Sequence, residues 1–399
     1  NQNGPVEGMG YRATANGINL NRDFLRLASP EAKALARLVT TWNPHLHVDN
    51  HVTNGSDHTW VLTWLVAEAP QLAAPVDAWV GAHLPKVMRS IEADGHPNGP
   101  YVNHISRSDP AAGMIWDVGQ PRYSSGYFPL RNRVSILIEM HANKPFRDRV
   151  LANRAFIDEL IEEGGRSGRE LVGAVGEADA ATVALGRADA KPSEVVVRWK
   201  VAEEGETITW PAYDWTLEES EVVGGKRVHY HPGRIREVQL EWRHLPVAEQ
   251  TLPRPRGYLV LAGWPQVEEL VSGHGLHAFR LREDIELEVE TTRLSNPRLA
   301  SSPYQGVAMV EDFEVSRQPE KRSIPAGSLW IPADQPSFEV AVQLFEPEAP
   351  DSMVRWGVVS SLFERKIYIG LERLEELAQE MLADEKIRSE WETALEDPE

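Results

Sequence analysis

The stretch "NRVSILIEMHA" (residues 132–142) constrains the fold of this chain more than any other. Residues 134–138 are almost continuously apolar and rich in β-branched side chains. Such a run is typical of a central strand that is covered on both faces of its sheet. A helical pattern follows over residues 146–163, and the same succession of strand and helix describes roughly the first 175 residues. We therefore expect an α/β fold for this part of the chain.

The elements expected around this strand lie between Ser29 and Ala93. Ser29 is a good N-cap, Pro30 suits the first helical position, and apolar residues follow at helical spacing. "HLHVDNHV" is rich in Val and Leu and runs into "TNGSD", which predicts a strand ending in a loop. "VLTWLVAEA" is compatible with a strand or a buried helix, and residues 76–91 predict a helix that is kinked or restarted at Pro85.

A change of composition near residue 176 predicts a domain boundary, and 399 residues are enough for two cores. We expect a first domain over residues 1–176, a linker over 177–194, and a β-rich accessory domain over 195–399. That second domain should end in an acidic amphipathic helix over residues 371–391. Strands are predicted in it at 195–201, 207–215, 238–242, 258–262, 285–290 and 338–344.

The charge of the chain limits its partners. The chain has 60 acidic and 41 basic residues and a formal charge of −19, so a phosphate backbone would be repelled and nucleic acid is not an expected partner. No run of eighteen apolar residues occurs, so membrane insertion is not expected either. Cysteine is absent, which leaves His and carboxylates as the strong metal ligands. Compartment and oligomeric state stay open, with a periplasmic or secreted location possible.

Two short motifs carry side chains suited to chemistry. "NLNRDF" places Asn21 beside Arg22, an amide and a bidentate cation that suit a carboxylate, and Arg12 lies shortly before them as a second cation. In the predicted strand "HLHVDNHV", Asp49 and His51 share one face, so the carboxylate could orient the imidazole of a metal ligand. The alternatives are surface ion pairs for the arginines and a structural hydrogen bond for the His.

Glu139 ends the apolar strand and is the sharpest of these signals. A carboxylate in that position loses hydration, which raises its pKa toward the range of a general base. The alternative is a structural ion pair with Arg131 or Arg133.

Taken in chain order, these motifs resemble the zinc carboxypeptidases of the carboxypeptidase A superfamily, particularly bacterial members with a long C-terminal region. The resemblance rests on "NQNGP", "NLNRDF", the D-x-H motif and "RNRVSILIEMH", and in looser form on "ADQPSFEVAVQLFEPEAPDSMVRWG". It implies a mixed-sheet sandwich of the zinc carboxypeptidase type and one zinc ion. It also implies the following roles: His51 as the last zinc ligand, Glu139 as general base, Arg12 at the oxyanion, Asn21 and Arg22 on the substrate carboxylate, and Tyr127, with Tyr123 in reserve, as the hydroxyaromatic.

The sequence departs from the family pattern at its start. The family's first two zinc ligands come from an H-x-x-E motif upstream of the Asn-Arg pair, and residues 1–17 contain none. We expect this sequence to lack that N-terminal part of the catalytic domain. The resemblance implies a metallocarboxypeptidase acting on peptides with a free C-terminal carboxylate. A zinc deacylase of acyl-amino acids and an inactive binding module are the alternatives.

Overall fold

The computed structural model describes residues 12–53, 56–116, 118–222, 224–364 and 369–396. The fold is mixed α/β, with several sheets and helices at the C-terminal end, which agrees with the expected α/β class. Contacts divide the chain into one compact unit that extends to Val359 and a second from Ser360 onward. The sandwich of the zinc carboxypeptidase type and the predicted domain organisation stay predictions.

The described helices and strands follow one another in a regular order through the first 190 residues and become mainly strands afterwards. The helices are α1 (Pro30–Trp42), α2 (Ala74–Ala93), α3 (Ser124–Tyr127), α4 (Phe146–Gly186), α5 (Pro265–Gly273), α6 (Phe338–Phe345), α7 (Leu371–Met381) and α8 (Glu385–Glu396). The strands are β1 (Leu46–Val52), β2 (Leu62–Val66), β3 (Asn98–Pro100), β4 (Met114–Ile115), β5 (Val134–Met140), β6 (Glu194–Val201), β7 (Glu206–Glu219), β8 (Lys226–Arg243), β9 (Pro246–Pro253), β10 (Gly257–Val260), β11 (Phe279–Arg280), β12 (Ile285–Leu299), β13 (Val310–Ile324) and β14 (Leu329–Pro332).

The first sheet is mixed and has the strand order β1-β5-β2-β3. Strand β5 runs parallel to β1 and antiparallel to β2. Apolar residues of β5 such as Ile136 and Ile138 belong to one buried core together with residues of α2 and α4. Because side chains alternate along a strand, His51 and Glu139 lie on the opposite face of the sheet. The prediction of a buried strand here is confirmed.

Later strands form smaller sheets. The long hairpin β7–β8 pairs with β4, β12 pairs with β13, β6 pairs with β9, and β14 lies between β10 and β11. Five of the six strands predicted for this region are confirmed. In the described part of the chain, no helix is long and apolar enough to span a membrane.

The helices differ from the predictions at four places. Residues 177–186, predicted as linker, form the last turns of α4, and Ala178 is buried in the core of the first sheet. Residues 338–344, predicted as a strand, belong to α6, because a short apolar run fits a buried helix as well as a strand. The predicted C-terminal helix is divided into α7 and α8, whereas α2 runs unbroken through Pro85.

Candidate functional site

The register of β1 and β5 brings the two sharpest sequence signals together. His51 is the register partner of Glu139, and the two strands are parallel. Register partners lie on the same face of a sheet, about 5 Å apart in backbone position. The sequence placed each residue at a strand end, and the pairing of the strands makes them neighbours.

The Asn-Arg motif sits on a short 3₁₀ turn, Leu20–Arg22. The side chain of Asn19 accepts a hydrogen bond from the Asn21 backbone N–H at 3.1 Å and starts the turn. The fully buried carboxylate of Asp23 then accepts from the backbone N–H and the hydroxyl of Ser29, at 2.8 and 2.7 Å. These bonds tie the residue after Arg22 to the start of α1.

A hydrogen-bonded group surrounds His51. Its Nε2 lies 2.8 Å from Asp49 Oδ1 and 3.3 Å from Asn21 Nδ2. Ser124 donates its hydroxyl to Asp49 Oδ2 at 2.6 Å, and its backbone N–H donates to Asn21 Oδ1 at 3.3 Å. Three separate segments, the 3₁₀ turn, β1 and α3, therefore meet at one point.

Charge within this group is arranged around the imidazole. Burial alone would lower the pKa of His51, but the hydrogen bond and charge of Asp49, with the charge of Glu139, raise it above its ordinary value. Burial would raise the pKa of Asp49, and its hydrogen bonds with His51 and Ser124 hold it below the ordinary value instead. When Nε2 carries the proton that it shares with Asp49, Nδ1 keeps a lone pair that could bind a metal.

Glu139 is a buried carboxylate that lacks a full set of partners. Burial raises its pKa to about 7, the charge of His51 opposes that rise, and the charge of Asp49 adds to it. Oxygen Oε2 of Glu139 has no hydrogen-bond partner among the residues that the structure describes. The arginines of the alternative interpretation bind elsewhere, since Arg131 donates to the His274 carbonyl and Arg133 binds Asp179.

Arg12, Arg22 and Tyr123 complete the polar surroundings. Arg12 is exposed. Its positive charge opposes the rise in the pKa of His51 and in that of Glu139, which places it near both. The guanidinium carbon of Arg22 lies 4.4 Å from the centre of the Tyr123 ring. Tyr123, the reserve choice for the hydroxyaromatic, is thus in contact with one of the predicted substrate-binding residues.

The structure does not bring Tyr127 to the group around His51. The Tyr127 ring is buried, and its hydroxyl lies 2.9 Å from His274 Nδ1. His274 in turn lies 2.9 Å from the Leu25 carbonyl through Nε2. This buried chain of hydrogen bonds gives Tyr127 a structural environment, and its catalytic role stays a prediction.

Two residues of the site carried no recognisable signal in the sequence. Ser124 begins α3 in a segment of mixed composition, and Asp49, which accepts its hydroxyl hydrogen bond, is half-buried. Tyr101 follows β3. In the sheet, Thr63 of β2 is the register partner of Gly99 in β3 on one side and of Glu139 in β5 on the other. Burial raises the pKa of Tyr101 to about 12, with the charge of Glu139 adding to the effect.

The loop that carries Tyr123 and Ser124 is closed by two glycines. A Cβ atom at Gly126 would lie 2.3 Å from the carbonyl oxygens of Gly119 and Gln120, and one at Gly119 would lie 2.7 Å from the Gly126 nitrogen. Real Cβ atoms do not approach so closely. These two positions therefore exclude every side chain.

The residues present fit a zinc site in part. The imidazole of His51, oriented by a carboxylate, and the unpartnered oxygen of Glu139 suit the surroundings of a metal ion. However, no group of three His, Cys, Asp or Glu side chains in the described ranges is placed to hold a metal. The described residues thus offer one imidazole ligand and not a complete set.

Comparison with known proteins shows a distant and partial similarity to fungal carboxypeptidases. The chain is 28% identical over 109 residues to carboxypeptidase 2 of Trichophyton tonsurans and to that of Trichophyton equinum, and 26% identical to that of Trichophyton rubrum. Each match covers 27% of this chain, which spans about a fifth, 20%, of the length of the relatives. No family model matches the chain, and no solved structure matches it. These findings support a carboxypeptidase-like relationship.

Proposed function

We propose that the chain belongs to a zinc metallocarboxypeptidase that removes the C-terminal residue of peptides. The observation that carries the proposal is the pairing of His51 with Glu139, a buried carboxylate whose oxygen Oε2 has no partner in the described residues. The similarity to proteins named carboxypeptidase 2 points to the same class of reaction. No contact among the described residues favours the deacylase or the binding module over this reaction.

Glu139 would act on the attacking water. A pKa of about 7 leaves a useful fraction of the carboxylate ionised at neutral pH while keeping it basic enough to accept a proton. As the water oxygen bonds to the peptide carbonyl carbon, one of its protons passes to Glu139. The same proton then reaches the departing amine nitrogen as the C–N bond breaks, so the carboxylate is regenerated.

Arginines would bind the negative charges of the substrate and of the reaction. Arg22, stacked on Tyr123 and next to Asn21, would hold the terminal carboxylate through charge-assisted hydrogen bonds. Arg12, near both His51 and Glu139, would stabilise the oxyanion that forms on the attacked carbonyl. Tyr123, already in contact with Arg22, is the tyrosine that we place beside the substrate.

His51 is the residue of this chain that would hold the zinc ion, with Asp49 fixing its tautomer. When bound, zinc supplies a Lewis acid that polarises the carbonyl and makes a bound water more acidic. Ser124 would keep Asp49 in place through its hydroxyl, and its backbone N–H would hold the amide oxygen of Asn21.

The first test is Glu139→Gln in the protein expressed from its whole gene. Removal of a general base should lower kcat for a blocked peptide with a free C-terminus by about 10²- to 10⁴-fold. Glu163→Gln is the matched control, because Glu163 is also a buried glutamate, and it lies 2.6 Å from His83 Nδ1, away from the group around His51. Equal activity of E139Q and wild type would exclude the proposed mechanism, and a protein that holds no zinc and cleaves no peptide in either form would favour a binding module.

The second test is Arg22→Met, assayed on a peptide with a free C-terminal carboxylate, on its amide and on an acyl-amino acid. Loss of a charged hydrogen bond should lower kcat/KM for the free peptide by about 10- to 100-fold and change the amide little. Arg26→Met is the control, since Arg26 is a nearby arginine that donates to the Gln305 carbonyl. A loss on peptides with unchanged cleavage of the acyl-amino acid would indicate the deacylase instead.

A further inference from the structure

A cavity of about 630 Å³ lies apart from the group around His51, within the compact unit that extends to Val359. Its walls come from segments distant in sequence, including residues 118–122, β6, β13 and the end of α6. A volume of this size matches the pockets that hold small organic ligands, about 300–1,000 Å³. The exposed residues Ser301 and Ser302 also line it.

Two amide side chains in the cavity are fixed through their nitrogen and left unsatisfied at their oxygen. Gln71 donates Nε2 to the Gly119 carbonyl at 2.9 Å, and Gln343 donates to the Val196 carbonyl at 3.2 Å. Their amide oxygens are buried and have no partner among the described residues, and the Gln343 side chain is almost fully buried at 2% exposure. The two amides are thus a fixed polar part of the cavity wall.

Arginine side chains supply positively charged donors in the same cavity. Arg355 donates Nη1 to the Glu311 carbonyl at 2.8 Å, while its buried Nε has no partner within the described part of the chain. Arg198 and Arg355 both line the cavity. Burial lowers the pKa of Arg355, the positive charge of Arg198 lowers it further, and the charges of Asp312, Glu348 and Asp351 oppose this fall. Arg198 has a loose ion pair with Glu249 at 3.7 Å. An anion between the two guanidinium groups would relieve their repulsion.

The lining also includes apolar side chains, among them Trp199, Met309 and Leu130. The lining also includes the carboxylates of Glu249 and Glu311. Cationic donors, carboxylate acceptors and apolar surface together match a molecule that combines a carboxylate, an ammonium group and a hydrocarbon side chain. We propose that this cavity binds a free amino acid with an apolar side chain, at a site separate from the catalytic group. The arginines bind its carboxylate, and the carboxylates of Glu249 and Glu311 accept from its ammonium group.

Calorimetric titration of the whole protein with L-phenylalanine tests this proposal. We expect saturable binding, weakened about tenfold or more when L-phenylalaninamide or 3-phenylpropanoate replaces the probe, because each loses one charged hydrogen bond. Arg355→Gln should weaken binding by a similar factor. Met309→Trp should do so as well, by filling the cavity with every charge retained, and a urea titration shows whether both variants are folded.

Arg22→Met separates this site from the catalytic group and should leave the binding of L-phenylalanine unchanged. Binding that disappears in R22M and persists in R355Q and M309W would place the amino acid at the group around His51 and overturn the proposal. Absence of binding to the wild type would overturn it too. Inorganic phosphate that competes as effectively as the amino acid would reduce the cavity to a nonspecific anion site.

Discussion

The pKa of the Glu139 carboxyl depends on its burial and on the charges of residues in the neighbouring strand. The sequence showed a charged residue at the end of an apolar strand, and from that a raised pKa followed. It could not show that His51 would be the register partner, because strand pairing depends on the whole sheet. The choice between Tyr123 and Tyr127 was equally beyond the sequence, since α3 turns one ring to Arg22 and the other into the core.

His274 gives a prediction of pH-dependent stability at the residue scale. It is fully buried, and burial together with the charge of Arg131 lowers its pKa from 6.5 to about 4, against the opposing effect of the hydrogen bond with the Leu25 carbonyl. As pH falls below 6.5, the unfolded chain takes up the proton before the folded chain does, so the free energy of unfolding decreases until about pH 4. The loss should reach about 3 kcal/mol, from about 1.4 kcal/mol per unit of pKa.

Urea titrations between pH 7 and pH 4.5 would measure this effect in wild type and in His274→Gln. The variant keeps hydrogen-bonding groups but does not titrate, so its stability should vary less with pH. His229→Gln, at an exposed position, is the control. A variant with the same pH dependence as wild type would show that His274 is not the titrating group.

At the scale of elements, periodicity identified β1, β5 and the start of α4 but not where α4 ends. Small and acidic residues after residue 176 indicated a linker, yet alanine is the best helix former and the stretch is rich in it. The helix end is also held by tertiary contacts, since Asp179 accepts from Asn132 Nδ2 at 3.0 Å and pairs with Arg133 at 2.9 Å. Such contacts are invisible in a single sequence.

Ala181→Pro tests whether α4 continues through this stretch. Ala181 is exposed in the helix interior, so proline should cost about 3 kcal/mol in the free energy of unfolding. Lys191→Pro, beyond the end of α4, should cost much less. Urea unfolding of the two variants measures the difference. Equal stabilities would support the linker over residues 177–194 that the composition indicated.

At the scale of the whole molecule, the formal charge of −19 governs what can approach the surface. The protein should not retard a DNA duplex in an electrophoretic mobility assay even at low salt, where electrostatic binding is strongest. A basic protein of similar size serves as the positive control. Retardation that disappears as salt is raised would reveal a local basic surface that the net charge conceals.

The cavity lined by Arg355 could not be predicted from the sequence, because it depends on how the whole chain folds. Its walls come from residues as far apart in sequence as Gln71, Arg198 and Arg355, and composition or periodicity cannot bring them together. The group around His51 was easier to foresee, because strand ends supply two of its members.

The close contact of Gly119 with Gly126 connects these two places. Gly119 lines the cavity, and the loop between the glycines carries Tyr123 and Ser124 to the group around His51. A Cβ atom at either glycine would clash with the backbone of the other segment, so the two backbones lie in direct contact. The same loop, residues 119–126, thus lines the cavity and binds Asp49 through Ser124, so both places share the shape of this one loop.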